Sequence, residues 1–436
     1  MRLLGVDLGG TFIKAAVLDL EKQQVTDVRR SPFPPFLKES VPGSREVDAN
    51  AVFNIVADLI RRYSSAYPDL SGLALSTQMH SLVLCTESGE LLAPASTWQD
   101  TRSLRDGSFS ALRDLYSPEL SWEMGNECRV GHPIAVLHSL ARANIPVITR
   151  PAIVTNLADW ITMRLTGIHQ PIHVSQAAAT GLWSVTAGRW NDELRRELGL
   201  ESLRMPVVSL DEHANEALVF GRRWKVWSPV GDQQASLLGV GLELTDMSVN
   251  VATGSQVSVL CSLLPCSLST EYTIRPFFWG GLLATVTHLP AGRAINYWVA
   301  ALGELAQDAG MTVHECWARL IDKASKIPIA SLPDMDLSIF PCATGERGSV
   351  SELTEDNLSA ASLFRSAIRS MATNYRWAAS RLPGDSFNRV IASGGICQRI
   401  PMLRADISEL IGLPVVSSPV IEDTLNGLLR YARAGA

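Results

Sequence analysis

Two short runs of glycine and hydroxyl-bearing residues have the composition of phosphate cradles. The first is Asp7-Leu8-Gly9-Gly10-Thr11, set between the apolar stretches 3–6 and 12–18. The second is Thr253-Gly254-Ser255, set between 249–252 and 256–260. Each reads as a strand, a tight turn and a second strand. Glycine lets such a turn fold back and lets backbone N–H groups approach an anion with no Cβ in the way. Thr11, Thr253 and Ser255 add hydroxyl donors at the turn tips. A carboxylate beside a polyphosphate repels it unless a cation lies between. Asp7 therefore points to Mg2+, a hard ion that keeps waters and takes one or two carboxylates plus phosphate oxygens. The same aspartate could instead satisfy turn amides at a strand end. Two such hairpins and one acidic residue suggest a nucleotide held between two similar halves.

A second chemistry is written in Gly231-Asp232-Gln233-Gln234-Ala235, which opens a short helix. A carboxylate within hydrogen-bond reach of a hydroxyl can accept its proton. An aspartate at a helix start is more commonly an N-cap, and one residue can do both. Gln78-Met79-His80 and Trp98-Gln99-Asp100-Thr101-Arg102 each follow a strand. Their donors, acceptors and indole face suit a polyol, whose hydroxyls need a fixed polar array and whose C–H side needs an apolar cover. Taken singly, His80 and Trp98 could be core residues, and Asp100 with Arg102 a surface ion pair of little energetic worth. A third glycine turn, Ser393-Gly394-Gly395, joins a strand at 390–392 to a helix over 400–410. Strand, glycine turn and helix N-terminus together favour an anion or nucleotide.

The elements that must carry these groups alternate between strand and helix. A third strand over 25–31 follows the first hairpin, a helix with 3.6-residue periodicity spans 49–67, and a buried strand covers 70–75. Helices are predicted over 156–165, 191–198 and 357–382. This alternation is that of an α/β protein. At 436 residues the chain exceeds what one core usually organises, and Trp227-Ser228-Pro229 is read as the boundary between a lobe of 1–227 and a lobe of 228–436. With 46% hydrophobic and 19% charged residues it can bury large cores and is not disordered. A net charge of −6 gives no footprint for nucleic acid. No apolar run reaches membrane-spanning length and no signal-peptide pattern opens the chain, so a soluble, cytoplasmic protein is expected. The seven cysteines, at 85, 128, 261, 266, 316, 342 and 397, form no close pair, which argues against a zinc site or a disulfide framework. A Walker loop, a complete G-x-G-x-x-G, an H-E-x-x-H and a G-x-S-x-G are all absent.

In order along the chain, the Asp7–Thr11 hairpin, Gln78-Met79-His80, Trp98–Arg102, Gly231-Asp232, Thr253–Ser255 and Ser393–Gly395 resemble the motifs of the FGGY carbohydrate kinases. The resemblance covers essentially the whole chain. It implies a two-lobed actin-like ATPase (ribonuclease-H-like) fold with the active-site cleft between the lobes. It also implies ATP and Mg2+ as cofactors, a small-molecule sugar as substrate, and no nucleic-acid or membrane partner. It is compatible with a homodimer.

By the same resemblance Asp232 is the catalytic base and Asp7 serves the metal. Gly9, Gly10, Thr11, Lys14, Thr253, Gly254, Ser255, Gly394 and Gly395 hold the nucleotide, and Gln78, Met79, His80, Trp98, Asp100 and Arg102 hold the sugar. Within the family, 231–235, 174–178 and 340–348 look most like the sedoheptulokinase branch, so phosphorylation of a terminal hydroxyl of a ketose such as sedoheptulose is implied. Xylulose, glycerol or gluconate kinases are the alternatives in the family. An actin-fold ATPase or sugar sensor is the alternative outside it, and such a protein needs no polyol site. Two departures stand out. The first hairpin has glycine where many members carry threonine. Asp423-Thr424-Leu425-Asn426-Gly427 replaces the usual alanine-rich helix start, which bears on the adenine environment.

Overall fold

The structure is a computed structural model describing residues 1–210, 212–265, 269–384 and 386–435; Cys266 lies outside them. The chain forms two compact α/β units. The first comprises Met1–Gly241, Ser262–Leu282 and Val420–Ala436, and the second comprises Leu242–Cys261 and Leu283–Pro419.

In the first unit the hairpin strands Arg2–Leu8 and Phe12–Asp19 pair antiparallel, with Asp7 opposite Lys14. Gln24–Pro32 adds a third antiparallel strand, while Leu70–Thr77 lies parallel on the other side of Arg2–Leu8. Arg222–Val226 and the two-residue strand Val230–Gly231 both pair in parallel with Leu70–Thr77. The helix Ala49–Ala66 is capped by Asp48, which accepts the Asn50 N–H. It buries Val52, Val56, Leu59, Ile60 and Tyr63, each apolar side chain contributing about 1.5–3 kcal/mol. Tyr63 then donates its hydroxyl to the Ala15 carbonyl at 2.8 Å, which fixes the helix to the hairpin.

The second unit repeats this plan. Its sheet runs Leu282–Leu289, Ser255–Cys261, Asp246–Val251, Arg389–Ser393 and Val415–Ser417. Again an antiparallel hairpin borders a parallel strand, Asp246–Val251 against Arg389–Ser393. The expected long helix occupies Ala360–Ala379 behind an N-cap at Ser359. The helix expected over 400–410 is Pro401–Ile411, and a further short helix, Gly395–Arg399, precedes it, the two separated at Ile400 because a proline follows.

The compact units do not divide at Trp227-Ser228-Pro229, as the sequence had suggested. Ser228 is buried, its hydroxyl bonded to the Pro171 carbonyl at 2.9 Å. The following helix, Asp232–Gly239, belongs to the first unit together with the C-terminal helix Asp423–Ala434. These two helices cross at glycines. A Cβ on Gly427 would lie 1.8 Å from the Ala235 carbonyl oxygen, and one on Gly239 would lie 1.8 Å from that of Asp423. Asp423–Gly427 is thus a packing segment of the first unit. The six described cysteines are free, and among the described residues no helix is long and apolar enough to cross a membrane.

Gly427→Ala should therefore lower the unfolding free energy by about 1–3 kcal/mol, the usual cost of overpacking. Gly254→Ala, whose added Cβ meets nothing within 4 Å, should stay within about 0.5 kcal/mol of wild type. Urea melts of the two variants check this, and equal stabilities would contradict the helix crossing.

Candidate active site

Asp7 and Asp232 both lie at the carboxyl ends of parallel strands, the edge at which open α/β sheets bind ligands. Ser76 faces Asp7 on one side and Val230 on the other. Asp7 and the start of the 232–239 helix are therefore two strand spacings apart, roughly 10 Å. Asp7 is buried and accepts the Ser76 hydroxyl at 2.9 Å. Burial raises its pKa, while Lys14 and the Ser76 bond oppose the rise. Lys14 itself is paired with Glu422 at 2.8 Å, and Glu422 also binds Arg30 at 2.5 Å. A buried carboxylate whose nearest lysine is committed elsewhere fits a hydrated divalent cation, as does the exposed turn Gly10-Thr11 just beyond it.

Asp232 is the first helical residue, and the N-cap position is taken by Gly231 with no side-chain cap bond. The N-cap role open in the sequence is therefore not the one Asp232 plays. Its carboxylate accepts the Gln233 N–H at 2.8 Å and is further stabilised by the Met79 amide. Burial and then the Asp7 charge push its pKa up to about 7, which is a value suited to a base working near neutrality. Gly231 leaves room here for the Gln234 side chain, whose oxygen would lie 2.4 Å from an added Cβ and would have to move.

The predicted polyol residues divide into two groups. Gln78, Met79, His80 and Trp98 gather beside the first hairpin and Asp232. A Cβ on Gly10 would sit 3.2 Å from Gln78 Oε1 and 4.0 Å from Trp98 Nε1, and Met79 lies against Gly231. Trp98 is 48% exposed, so its indole is not core packing, and the buried Gln78 Nε2 lacks a protein partner. His80 has a left-handed backbone (φ 66°), a strained conformation that clusters at functional sites. Its ring stacks on His132 with centroids 3.7 Å apart.

Asp100 and Arg102 are placed otherwise. Both are buried and bind each other, at 2.8 Å from Nη2 to Oδ2, and Arg102 also binds Glu46 at 2.5 Å. Asp100 further accepts the Arg45 N–H at 3.0 Å. They are neither a surface pair nor part of the Trp98 cluster, and they anchor the loop that presents Trp98. On its other side Arg102 lines a separate cavity of about 250 Å³ with Leu82, Val136 and Val147.

The sequence reading missed Glu127, His132, Gln233 and Arg275. Arg275, on the strand Thr273–Pro276, binds Glu127 through Nε and the Gln233 side-chain oxygen through Nη1, and it approaches Met79 sulfur at 3.9 Å. Burial alone would raise the Glu127 pKa, but Arg275 and then His132 and His80 bring it down to about 2. Burial holds His80 at about 4 and His132 well below the usual imidazole range, so both rings are neutral. The Nδ1 atoms of His80 and His132 lie 2.8 and 2.9 Å from the Ala179 and Glu127 carbonyls. Both Nδ1 atoms are therefore donors, which leaves each Nε2 as an acceptor. His80, Glu127 and His132 are close enough together to suggest a metal. Two rings only 5° from parallel do not converge their lone pairs, however, and the carboxylate is already neutralised by Arg275.

In the second unit the hairpin turn Ala252-Thr253-Gly254 is exposed. Ser255 is not at its tip, since its hydroxyl turns inward to the Leu289 carbonyl at 3.2 Å. Gly394, with φ 88°, packs so closely on the Val251 backbone that a Cβ would lie 2.2 Å from its oxygen. Asn250 bonds Ser393 across the same pair of strands at 2.9 Å. The two glycine turns of this unit are thus neighbours.

The N-terminal domain of the FGGY family of carbohydrate kinases matches residues 2–239. Human sedoheptulokinase is 25% identical, over 94% of this chain and 93% of its own. The fold is shared with a gluconate kinase and a ligand-bound xylulose kinase, both from Lactobacillus acidophilus. Each superposes with a TM-score of 0.86 at 20% identity, covering 100% of this chain and 89% of the other. The fold class is accordingly the actin-like ATPase class implied by the sequence motifs.

The raised pKa of Asp232 makes a prediction about stability. An unfolded aspartate titrates near ~3.9, so folding takes up a proton between that pH and about 7. The group's contribution is full below this window and is lost as pH rises through it. Asp232→Asn has no such titration, so it should gain on wild type between pH 5 and pH 8, by up to about 1.4 kcal/mol per pH unit within the window. Denaturant melts at both pH values test this. A difference that does not change with pH would contradict the raised pKa of this carboxylate.

Proposed function

The chain belongs to the FGGY family of carbohydrate kinases, ATP-dependent phosphotransferases, and from that premise we propose that it phosphorylates a terminal hydroxyl of a ketose, with sedoheptulose as the first candidate. The observation that carries the reading is a half-buried carboxylate of pKa about 7, Asp232, beside Met79, Gln78 and an exposed indole. A filament or chaperone ATPase has no use for that array. The near end-to-end match to human sedoheptulokinase supports the heptulose.

In this reading the sugar's C–H side lies on Trp98, while the orphaned Gln78 Nε2 and the Nε2 acceptors of His80 and His132 bind hydroxyls. Asp232 accepts the proton of the attacking hydroxyl as its oxygen bonds to the γ-phosphorus and the bond to the ADP oxygen breaks. The proton then passes to solvent, which restores the carboxylate. Asp7 would hold hydrated Mg2+, which neutralises phosphate charge when bound. Amides of the Gly9-Gly10-Thr11 turn would serve phosphates, and Thr253, Gly254, Gly394 and Gly395 are the further nucleotide-binding candidates. Lys14, held by Glu422, tunes the charge at Asp7.

The direct test is ADP release and sugar-phosphate formation from Mg-ATP across ketoses, polyols and sugar acids. The highest kcat/KM is expected with a ketose. A maximum with gluconate or glycerol would replace the substrate assignment, and ADP release that no sugar stimulates would replace the kinase reading.

Asp232→Asn should lower kcat by roughly 10²–10⁴-fold, the range of a lost general base, with little change in KM for ATP. Wild-type kcat should rise with pH to a plateau above about 7, a limb that the Asn variant lacks. Full turnover in a folded Asp232→Asn protein would remove it from the mechanism.

Asp7→Asn should cripple turnover while sugar affinity, measured by calorimetry, stays within about twofold, because the lost charge acts on metal and phosphate. Parallel loss of sugar affinity would move Asp7 to the polyol site.

A further inference from the structure

We propose that Arg275 is the positioning residue of the transfer site, a buried tie that holds the polyol-binding histidines and the catalytic base in one register. Its guanidinium has two anchors. Nε meets Glu127, whose own backbone carbonyl lies 2.9 Å from Nδ1 of His132, the ring stacked on His80. Nη1 meets the side-chain oxygen of Gln233, the residue after Asp232, whose N–H is bonded to the Asp232 carboxylate at 2.8 Å. Between these anchors Nη1 also touches Met79 sulfur at 3.9 Å, on the residue whose amide stabilises Asp232. Arg275, Glu127, Gln233 and His132 are all buried, at 6%, 1%, 8% and 5% exposure, so the chain is dry and each bond is hard to replace with water.

Arginine suits this place because its planar fork reaches two acceptors in fixed directions, which a lysine ammonium does not. The neighbouring turn makes the tie rigid. Gln234 donates to the Pro276 carbonyl at 3.3 Å. On the far side the Gly231 N–H is bonded to Ser175 Oγ at 3.1 Å, and that hydroxyl contacts buried His173 at 2.7 Å. Asp232 is thereby clamped by one network before it and another after it. Arg275 does not touch the reacting atoms in this scheme. It acts through Gln233, and a small displacement of a base is enough to cost one or two orders of magnitude in rate.

The inference rests on Asp232 being the base, so Asp232→Asn is assayed alongside as the control for that reading. Arg275→Lys, Gln233→Ala and the double variant are compared for kcat, KM for ATP, KM for the best sugar of the panel, and melting temperature. Each single variant should lower kcat per folded molecule by roughly 10–100-fold, with KM for ATP within about twofold. The double variant should be no slower than the worse single one, because both changes break one connection.

Multiplying losses in the double variant would overturn the proposal, as would wild-type kcat in folded Arg275→Lys. If Arg275→Lys fails to fold, Gln233→Ala alone decides: normal kcat overturns the tie and a lowered kcat supports it. Should Asp232→Asn itself keep full turnover, the fault lies in the base assignment and not in Arg275.

Discussion

The site is organised around one electrostatic constraint, two carboxylates, one buried and one half-buried, at the same edge of one sheet. Asp7 and Asp232 each have a pKa raised chiefly by burial, and the charge of Asp7 adds to the rise at Asp232. Such a pair is unfavourable when both groups are ionised, and its cost falls when a proton or a cation is present. A kinase site needs both states, with a cation beside the phosphates and a proton taken from the sugar. The rest of the first unit supplies the framework that tolerates the unpaired charge. Parallel strands bring the two chain segments together, Ser76 donates to Asp7, and the Gln233 and Met79 amides face Asp232.

That constraint explains why the surrounding cations are spoken for. Lys14 would quench Asp7 if it were free, but Glu422 holds it and Arg30 completes the cluster. Arg275 would quench Asp232, but Glu127 holds it. In each case a carboxylate from a distant part of the chain keeps a basic residue close enough to tune the site and too committed to neutralise it. Glu422 stands at the start of the C-terminal helix, and that helix packs on the 232–239 helix through Gly239 and Gly427. Charge balance at Asp7 and the placement of Asp232 therefore depend on the same terminal segment, which is why it joins the first unit.

What was readable in the sequence was local. Both hairpins, the 49–66 helix and the strand ending at Thr77 announce themselves through periodicity and glycine turns, which need only neighbouring residues. The sheet edge that carries Asp7 and Asp232 was readable because its motifs occupy short stretches. The Glu127–Arg275 connection was not, because its partners are 148 positions apart and carry no periodic signal. They meet because Asn126 donates to the Ser269 and Tyr272 carbonyls while the Ile274 N–H bonds Gly125. Ser228-Pro229 had the composition of a linker, yet its burial beneath Tyr431, whose hydroxyl reaches the Ser228 carbonyl at 3.2 Å, fixes it in the core. Asp100 and Arg102 show the opposite case, a buried pairing that their types did not announce. Their residue types suit a sugar, but Arg102 Nε and Nη2 bind Asp100 and Glu46, and Asp100 also accepts the Arg45 and Arg102 N–H groups, so the pair is committed to holding its own loop.

Gly10 shows how a departure from the family pattern acquires a physical reason. A threonine there could offer a phosphate one more hydroxyl. Its Cβ, however, would stand 3.2 Å from Gln78 Oε1 and 4.0 Å from the Trp98 indole nitrogen, tight enough that Gln78 would have to yield. With glycine the hairpin tip instead lies directly against the residues that would grip the polyol. The turn and the Gln78–Trp98 wall then share one surface, and a shift in either is felt by the other. Under the proposed reaction the lost hydroxyl would be exchanged for a closer fit between turn and wall, where alignment of hydroxyl and phosphorus counts for more in rate than a single added contact.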